Sequence, residues 1–286
     1  MKDRLIELGY AAGWGAVRAL PLPVARALFT AGADRAWKQN GPSVQRLRQN
    51  LSRVVPDPPE TLVRDGLRSY ARYWMEAFRL PTRSTEQILA GFHLAAPQYD
   101  ELKSVIAEGR GVVLALPHTG NWDAAAAWVV SNGWRMVTVA ERLKPEGLYR
   151  KFMAYREKLG MEVLPLTGGP RPLDLLGERL GQGFAVCLLG DRDLSRNGVE
   201  VTFFGGRTRM PGGPAILAIR AGCPLYAVDL SFNETQTVAV LRRIVPPADG
   251  PLDVRVKQTT QMLADAYAEG IAEHPQDWHM LQKLWL

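Results

Sequence analysis

The chain has 286 residues, of which 47% are hydrophobic and 22% charged, and this balance predicts a globular protein and excludes long disorder. No uncharged apolar run reaches 18 residues, and charges interrupt the N-terminus, so neither a membrane-spanning helix nor a signal peptide is expected. The net charge is +6, and the first 100 residues hold 14 Lys and Arg against 9 Asp and Glu. This basic part suggests an anionic partner, such as phospholipid, nucleic acid or CoA phosphates, although a solvated helix face gives the same count.

Residues 2 to about 95 are predicted to be helices separated by proline, with breaks at 21–23, 41–42 and 56–59. In the helix predicted over 60–80, aromatic and aliphatic residues recur at helical spacing. Such a stripe usually packs into the core, but on a basic helix it can also lie in a membrane interface.

From residue 102 onward, predicted strands and helices alternate. The strands are expected at 111–116, 135–140, 162–165, 184–189, 225–230 and 238–245, and the helices at 122–130, 148–159, 172–180, 213–221 and 254–274. This alternation predicts an α/β fold with a mostly parallel sheet covered by helices on both faces. Cys187 and Cys223 fall in apolar runs, which indicates buried thiols in a reducing compartment.

His118 and Asp123 stand where the predicted strand 111–116 gives way to the helix 122–130. Ligands of open α/β sheets gather at the carboxyl ends of strands. Asn121 is a good N-cap for the helix, and Asp123 would lie in its first turn. From there its carboxylate could bind one ring nitrogen of His118 and leave the other free as a general base. A capped helix with a loop histidine that only hydrogen-bonds is the alternative.

Two further segments carry charged groups toward the same edge of the sheet. Asp191 follows the predicted strand 184–189, so in a parallel sheet it would share an edge with His118. The run 207–214 contains two arginines and several glycine and proline breaks, and its backbone N–H groups together with Arg209 would suit a phosphate. A tight surface loop with solvated arginines explains that run equally well. No nucleophile-elbow serine and no metal-ligand spacing occurs.

The segment Pro117-His118-Thr119-Gly120-Asn121-Trp122-Asp123 is similar to the His-x4-Asp motif of glycerolipid acyltransferases. Residues 191–193 and 203–205 resemble further blocks of one branch, and 73–81 resembles its N-terminal helical region. That branch contains the lipid A late acyltransferases and the actinobacterial phosphatidylinositol mannoside acyltransferases. The resemblance covers nearly the whole chain, and Asp at 123 and Glu141-Arg142 look closest to the mannoside enzymes.

The resemblance implies a glycerolipid acyltransferase-like fold in one domain, residues 1–286, with a helical, membrane-docking region at 1–95 and a catalytic α/β core at 100–286. It implies an O-acyltransferase that moves a palmitoyl-like chain from acyl-CoA to a mannose hydroxyl of phosphatidylinositol mannoside. The catalytic residues would be His118 as general base, with Asp123 to orient it and Asp191 as a second acidic partner. The residues expected to bind acyl-CoA are His118, Glu141, Arg156, Arg192 and Arg209.

No metal and no cofactor beyond the co-substrate is expected. We further expect a monomer that docks peripherally on anionic lipid at the cytoplasmic face of the plasma membrane. A lipid A-type acyltransferase with another acceptor, a non-catalytic lipid-binding protein and a thioesterase remain alternatives. Nucleic-acid binding is not expected, because the basic residues lack a recognition motif and the aromatic residues lie on apolar faces.

Overall fold

The computed structural model describes residues 13–141, 146–166, 171–193 and 197–286. Its N-terminal part is helical, as the proline breaks predict: α1 is described over 13–19 and is followed by α2 (Leu22–Gln39), α3 (Pro42–Val54), α4 (Glu60–Arg79) and α5 (Thr85–Ala90). Proline stands in the first turn of both α2 and α3, where its missing N–H costs no intrahelical hydrogen bond. Across the described ranges, no helix combines the length and hydropathy needed to cross a bilayer.

The rest of the chain alternates between strands and helices. The strands are β1 (Phe92–Leu94), β2 (Val112–Leu116), β3 (Met136–Ala140), β4 (Glu162–Pro165), β5 (Ala185–Leu189), β6 (Val199–Phe203), β7 (Gly206–Met210), β8 (Leu225–Phe232) and β9 (Thr237–Ile244). The helices are α6 (Ala96–Ala107), α7 (Trp122–Ser131), α8 (Glu146–Lys158), α9 (Pro172–Gly181), α10 (Gly213–Ala221) and α11 (Leu252–Glu273).

The central sheet has the order β1-β9-β8-β2-β5-β3-β4. From β8 to β4 all neighbouring strands are parallel, whereas β9 runs antiparallel to β8 and carries the short β1 beside it. The predicted mostly parallel sheet is therefore confirmed. The exception at β9 arises because only four residues separate it from β8, and so short a link permits a hairpin but no crossover.

Both faces of the sheet are covered, because neighbouring residues of β2 belong to different cores. Val113 and Ala115 join a core formed with α9, α10 and α11, which also takes in side chains of α3 and α4. Val112 and Leu114 face the opposite core, formed with α6, α7 and α8. A strand buried on both sides is typical of a parallel sheet between helical layers.

Residues 199–210 form an antiparallel hairpin, β6–β7, outside the central sheet. The alternative of a surface loop over 207–214 is therefore wrong for 207–210, which belong to β7. Phe204 and Gly205 make the turn with φ of 44° and 70°, which is the left-handed backbone that a two-residue hairpin loop needs. Phe is an unusual residue for such a turn, so the hairpin signal is weak in the sequence.

A C-terminal segment, defined as residues 275–282, passes between the N-terminal helices and the end of β2. Two residues of this segment, Trp278 and Met280, are fully buried. Asn50 on α3 donates hydrogen bonds to the carbonyls of Met280 and Gln282, at 2.7 and 2.9 Å. The segment therefore connects the helical region to the edge of the sheet where the predicted site lies.

Candidate active site

The loop that carries His118 joins β2 to α7 and turns sharply. Gly120 has a φ of 51°, and a Cβ at this position would lie only 2.8 Å from Cβ of Leu230, so glycine is required. Asn121 caps α7 as predicted, because its side-chain oxygen accepts a hydrogen bond from the backbone N–H of Ala124 at 2.9 Å. The backbone therefore holds His118 at the carboxyl end of β2.

Strand register brings His118 and Asp191 together. Leu116 of β2 pairs with Leu189 of β5, and His118 and Asp191 each lie two residues further along. Nδ1 of His118 is 2.5 Å from Oδ1 of Asp191, and the backbone N–H of His118 donates to Oδ2 at 2.9 Å. The expectation that the two residues share one edge of the sheet is confirmed.

Asp191 is fully buried, whereas 22% of the His118 side chain is exposed. Burial alone would raise the pKa of Asp191, but the facing His118 and hydrogen bonds from His118 and Trp278 outweigh it and lower this pKa. Nε1 of Trp278 donates to Oδ2 of Asp191 at 3.1 Å. Asp191 is thus held as a carboxylate, which places the proton on Nδ1 of His118 and leaves Nε2 as the basic nitrogen.

The prediction that Asp123 orients His118 is wrong in its geometry, because Asp191 occupies that position. Asp123 accepts hydrogen bonds instead from the hydroxyl of Tyr73 at 2.9 Å and from Nε of Arg156 at 2.8 Å. From the first turn of α7 its side chain therefore binds side chains of α4 and α8. Closeness in sequence to His118 did not determine the direction of this side chain.

The Asp123 cluster, defined as Asp123, Tyr73 and Arg156, is a buried ion pair with a phenol attached. Asp123 is 3% and the Arg156 side chain 18% exposed. Burial works against the charge of Arg156, but Asp123 more than compensates and raises the pKa of the guanidinium. Burial and the nearby Asp123 also raise the pKa of Tyr73 well above its usual value. Tyr73 escaped the sequence analysis because it looked like one more member of an aromatic helical stripe.

A cavity of about 540 Å³ opens beside His118 and is called here the catalytic cavity. Most of its walls are apolar, from α8, α9 and the ends of β3 and β5, with Leu173, Leu176 and Leu189 among them. Arg156, Glu141 and Arg192 also line it, so the structure brings these predicted residues to the same space as His118. A smaller apolar cavity of about 80 Å³ lies between α7 and the sheet, with Trp122 on the walls of both.

Glu141 and Arg192 face each other across the carboxyl ends of β3 and β5, with 3.5 Å between Oε2 and Nη2. The Glu141 side chain is 53% exposed, while that of Arg192 is only 19% exposed. Nε of Arg192 is buried, and among the described residues it has no hydrogen-bond partner. A buried guanidinium N–H without a protein acceptor is suited to an anionic or carbonyl oxygen of a ligand.

Arg209 is placed differently from the other predicted ligand residues. It stands on β7 with an exposed side chain, and it is not among the described residues that line the catalytic cavity. Because the hairpin alternates buried and exposed positions, Thr208 and Met210 point inward while Arg209 points outward. Arg209 therefore does not join His118 in the catalytic cavity, although Gly212 and Gly213 at the start of α10 do line it, and the assignment of Arg209 to a phosphate stays a prediction.

The C-terminal segment supports the His118 loop from behind. The backbone N–H of His279 donates to the carbonyl of His118 at 2.8 Å, and that of Gly120 donates to the carbonyl of Asp277 at 3.0 Å. His279 is buried, and burial together with the nearby His118 lowers its pKa to about 3. His279 is therefore a neutral, structural histidine, whereas His118 lines the catalytic cavity.

The fold and the site define a class of protein: an α/β protein with a histidine–aspartate pair at the ends of two neighbouring parallel strands, beside a largely apolar cavity. The family model described as bacterial lipid A biosynthesis acyltransferase matches residues 3–286, so the chain belongs to this family. The resemblance inferred from the sequence motifs is thereby confirmed, and the chain is an acyltransferase.

Individual relatives narrow the class further. The chain is 50% identical over 288 aligned residues to the phosphatidylinositol mannoside acyltransferase of Mycolicibacterium smegmatis, and the match covers 99% of this chain and 92% of that protein. It is 47% identical over 285 residues to the phosphatidylinositol mannoside acyltransferase of Mycobacterium tuberculosis, covering 98% and 88%. These similarities extend over nearly the whole chain and support an acyltransferase that acts on a glycolipid.

Proposed function

We propose that the protein transfers a palmitoyl-like chain from acyl-CoA to a mannose hydroxyl of a phosphatidylinositol mannoside. One observation carries the proposal: His118, partly exposed and with Nδ1 held by the buried carboxylate of Asp191, borders a largely apolar cavity of about 540 Å³. The names of the two relatives support the choice of acceptor.

In the proposed reaction, Nε2 of His118 removes the proton from the acceptor hydroxyl. The hydroxyl oxygen attacks the thioester carbonyl, the carbon–sulfur bond breaks, and the CoA thiolate recovers the proton from the imidazolium. A positioned general base of this kind accelerates a reaction by ~10²–10⁴-fold. Asp191 stabilises the imidazolium while the imidazolium exists. Its carboxylate stays charged although it is buried, because it accepts hydrogen bonds from His118 and Trp278.

Arg156 and Arg192 supply the positive charge for the donor in this proposal. Arg156 is held by Asp123 at the wall of the cavity, and Arg192 offers a buried N–H close to the exposed Glu141. We propose that these two arginines bind the acyl carbonyl and the polar part of acyl-CoA. Asp123 then acts through Arg156, which makes it a positioning residue in this scheme.

The acyl chain of the donor fits the apolar walls of the catalytic cavity. Each buried methylene contributes ~0.8 kcal/mol, so a long chain is bound mainly by its length. The small cavity under α7 shares Trp122 and Leu189 with the catalytic cavity and offers space for the end of the chain.

Docking on a membrane is part of the proposal. Leu22, Val24 and Leu28 are exposed on α2, with 57% of Leu28 accessible. The N-terminal 100 residues carry the positive excess, and each well-placed Lys or Arg contributes about 1 kcal/mol of attraction to anionic lipid. We therefore propose a peripheral monomer on the anionic, cytoplasmic face of the plasma membrane.

The test is to incubate the purified protein with palmitoyl-CoA and phosphatidylinositol mannosides and to follow free CoA and acylated lipid by mass spectrometry. His118→Ala is the catalytic control, and His93→Ala, on the short strand β1, is the matched histidine control. Acceptor-dependent product that disappears only in His118→Ala is expected. CoA release without acylated lipid would indicate a thioesterase or another acceptor, and no turnover with any glycolipid would favour a lipid-binding protein.

A further inference from the structure

Besides the small cavity under α7, a further apolar space adjoins the catalytic cavity. The α2–α4 groove is the furrow of about 820 Å³ formed by side chains from residues 28–36 of α2, 43–44 of α3 and 67–78 of α4, together with Phe152 and Leu281. None of the described residues that line it carries a charge. A groove of this chemistry disfavours the phosphates of CoA and the sugars of a glycolipid head group, and it favours hydrocarbon.

The groove and the catalytic cavity share two walls. Trp74 of α4 and Phe152 of α8 line both spaces, and their rings meet edge to face with centroids 6.0 Å apart. The catalytic cavity also contains Tyr73 and His118. A molecule seated in the groove therefore lies next to the space in which the His118 base acts, separated from it by one layer of aromatic rings.

The width of the groove depends on small residues of α2. Gly32, Ala33 and Ala36 follow one another at helical spacing along it. A Cβ at Gly32 would meet no other atom within 4 Å, so this position faces open space. Glycine within a helix costs stability relative to alanine, so Gly32 leaves the furrow open at an energetic cost to α2.

We propose that the α2–α4 groove holds one acyl chain of the acceptor glycolipid while the donor chain occupies the catalytic cavity. The inference rests on the proposed function, in which two acyl-bearing molecules must reach His118 together. The uncharged lining selects a chain over a head group, and the shared wall at Trp74 and Phe152 places the attached head group beside the base. The acceptor is thus recognised partly by its tail.

The experiment fills the groove without touching the catalytic residues. Gly32→Leu places a branched side chain in the open space of the groove. Gly177→Leu is the matched control, since a Cβ at Gly177 on α9 also meets no atom within 4 Å and this residue lines neither space. Two acceptors are compared: a phosphatidylinositol mannoside with short acyl chains, kept below its micelle-forming concentration, and the same head group with its chains removed.

With the short-chain acceptor, Gly32→Leu is expected to raise KM by about tenfold, which corresponds to about 1.4 kcal/mol or the contact of roughly two methylene groups. In Gly32→Leu, kcat and the KM values for the chain-free acceptor and for palmitoyl-CoA should stay at the wild-type level. In Gly177→Leu, kcat and all three KM values should stay at the wild-type level. Thermal melting of both variants verifies that they fold.

Three results would overturn the inference. Unchanged KM for the short-chain acceptor in Gly32→Leu would show that the groove does not hold its tail. An equal increase in KM for both acceptors would show that the groove does not bind the acyl chain of the acceptor. An increase in KM for palmitoyl-CoA would assign the groove to the donor. If the wild-type protein acylates neither acceptor, the proposed function itself fails, and this outcome is distinguishable from the other three.

Discussion

Two buried carboxylates at the same edge of the sheet do different work. Asp191 faces the imidazole of His118, whereas Asp123 faces the guanidinium of Arg156, which stays charged. Both carboxylates also accept a hydrogen bond from an aromatic side chain, Trp278 in one case and Tyr73 in the other. Because both carboxylates are buried, it is the partner that would separate a carboxylate serving proton transfer in the proposed reaction from one that holds a permanent cation in place.

The largest effect is expected from Asp191→Asn. The amide no longer stabilises the imidazolium, and its NH₂ group can donate to Nδ1, which would move the proton of neutral His118 to Nε2 and remove the base. We expect kcat to fall by ~10²–10⁴-fold with folding largely preserved. Steady-state acylation assays with Asp249→Asn, an exposed site, as the control would test this. A loss of less than about tenfold would assign the role of acidic partner elsewhere.

The main expected effect of Asp123→Asn is a decrease in the free energy of unfolding. The change leaves the guanidinium of Arg156 largely buried without its carboxylate, and breaking a buried ion pair in this way costs about 3–5 kcal/mol. Urea unfolding measures this loss directly. Asp123→Asn with Arg156→Met should recover part of it, because the uncompensated charge is removed. If the single variant were as stable as the wild type, the Asp123 cluster would not be a structural ion pair.

Trp278→Phe should weaken the carboxylate form of Asp191 through one lost hydrogen bond. The pKa of Asp191 is lowered in the folded protein, so its charge contributes stability above the unfolded value of ~3.9, and this stability is lost as the pH falls through the folded pKa. Without the Trp278 donor the folded pKa moves back up. The decrease in unfolding free energy between neutral and acidic pH should therefore be smaller than in the wild type, by about 1.4 kcal/mol per pKa unit.

A packing role alone would lower stability equally at both pH values. The comparison of the two pH values therefore separates the hydrogen bond to Asp191 from the loss of indole volume. An unchanged difference between neutral and acidic pH in Trp278→Phe would show that the hydrogen bond from Trp278 does not stabilise the carboxylate of Asp191.

The smallest effect is expected at a third carboxylate of this edge, Glu141. Its ion pair with Arg192 is long, at 3.5 Å, and the carboxylate is half exposed. Exposed ion pairs contribute about 0.2–1 kcal/mol, so Glu141→Gln should change KM for palmitoyl-CoA by no more than about fivefold. Salt screens such a pair, so the change in KM should be smaller still at high salt concentration. A large loss of kcat would instead place Glu141 in the chemical step.

Much of the sheet was predictable, because buried parallel strands and amphipathic helices leave a clear alternation in the sequence. The position of His118 and Asp191 followed from the same pattern, since both lie just beyond strand ends. The role of Asp123 did not follow, because proximity in sequence does not determine side-chain direction after a sharp turn. Trp278 and Tyr73 reach the two carboxylates from 87 and 50 residues away, and no local pattern signals such contacts.

The C-terminal segment also has a consequence for protein synthesis. His118 and Asp191 leave the ribosome before Trp278 and His279, which supply hydrogen bonds to this pair from the segment behind them. A nascent chain that has not reached this segment therefore lacks the hydrogen bonds that support the His118 loop and Asp191.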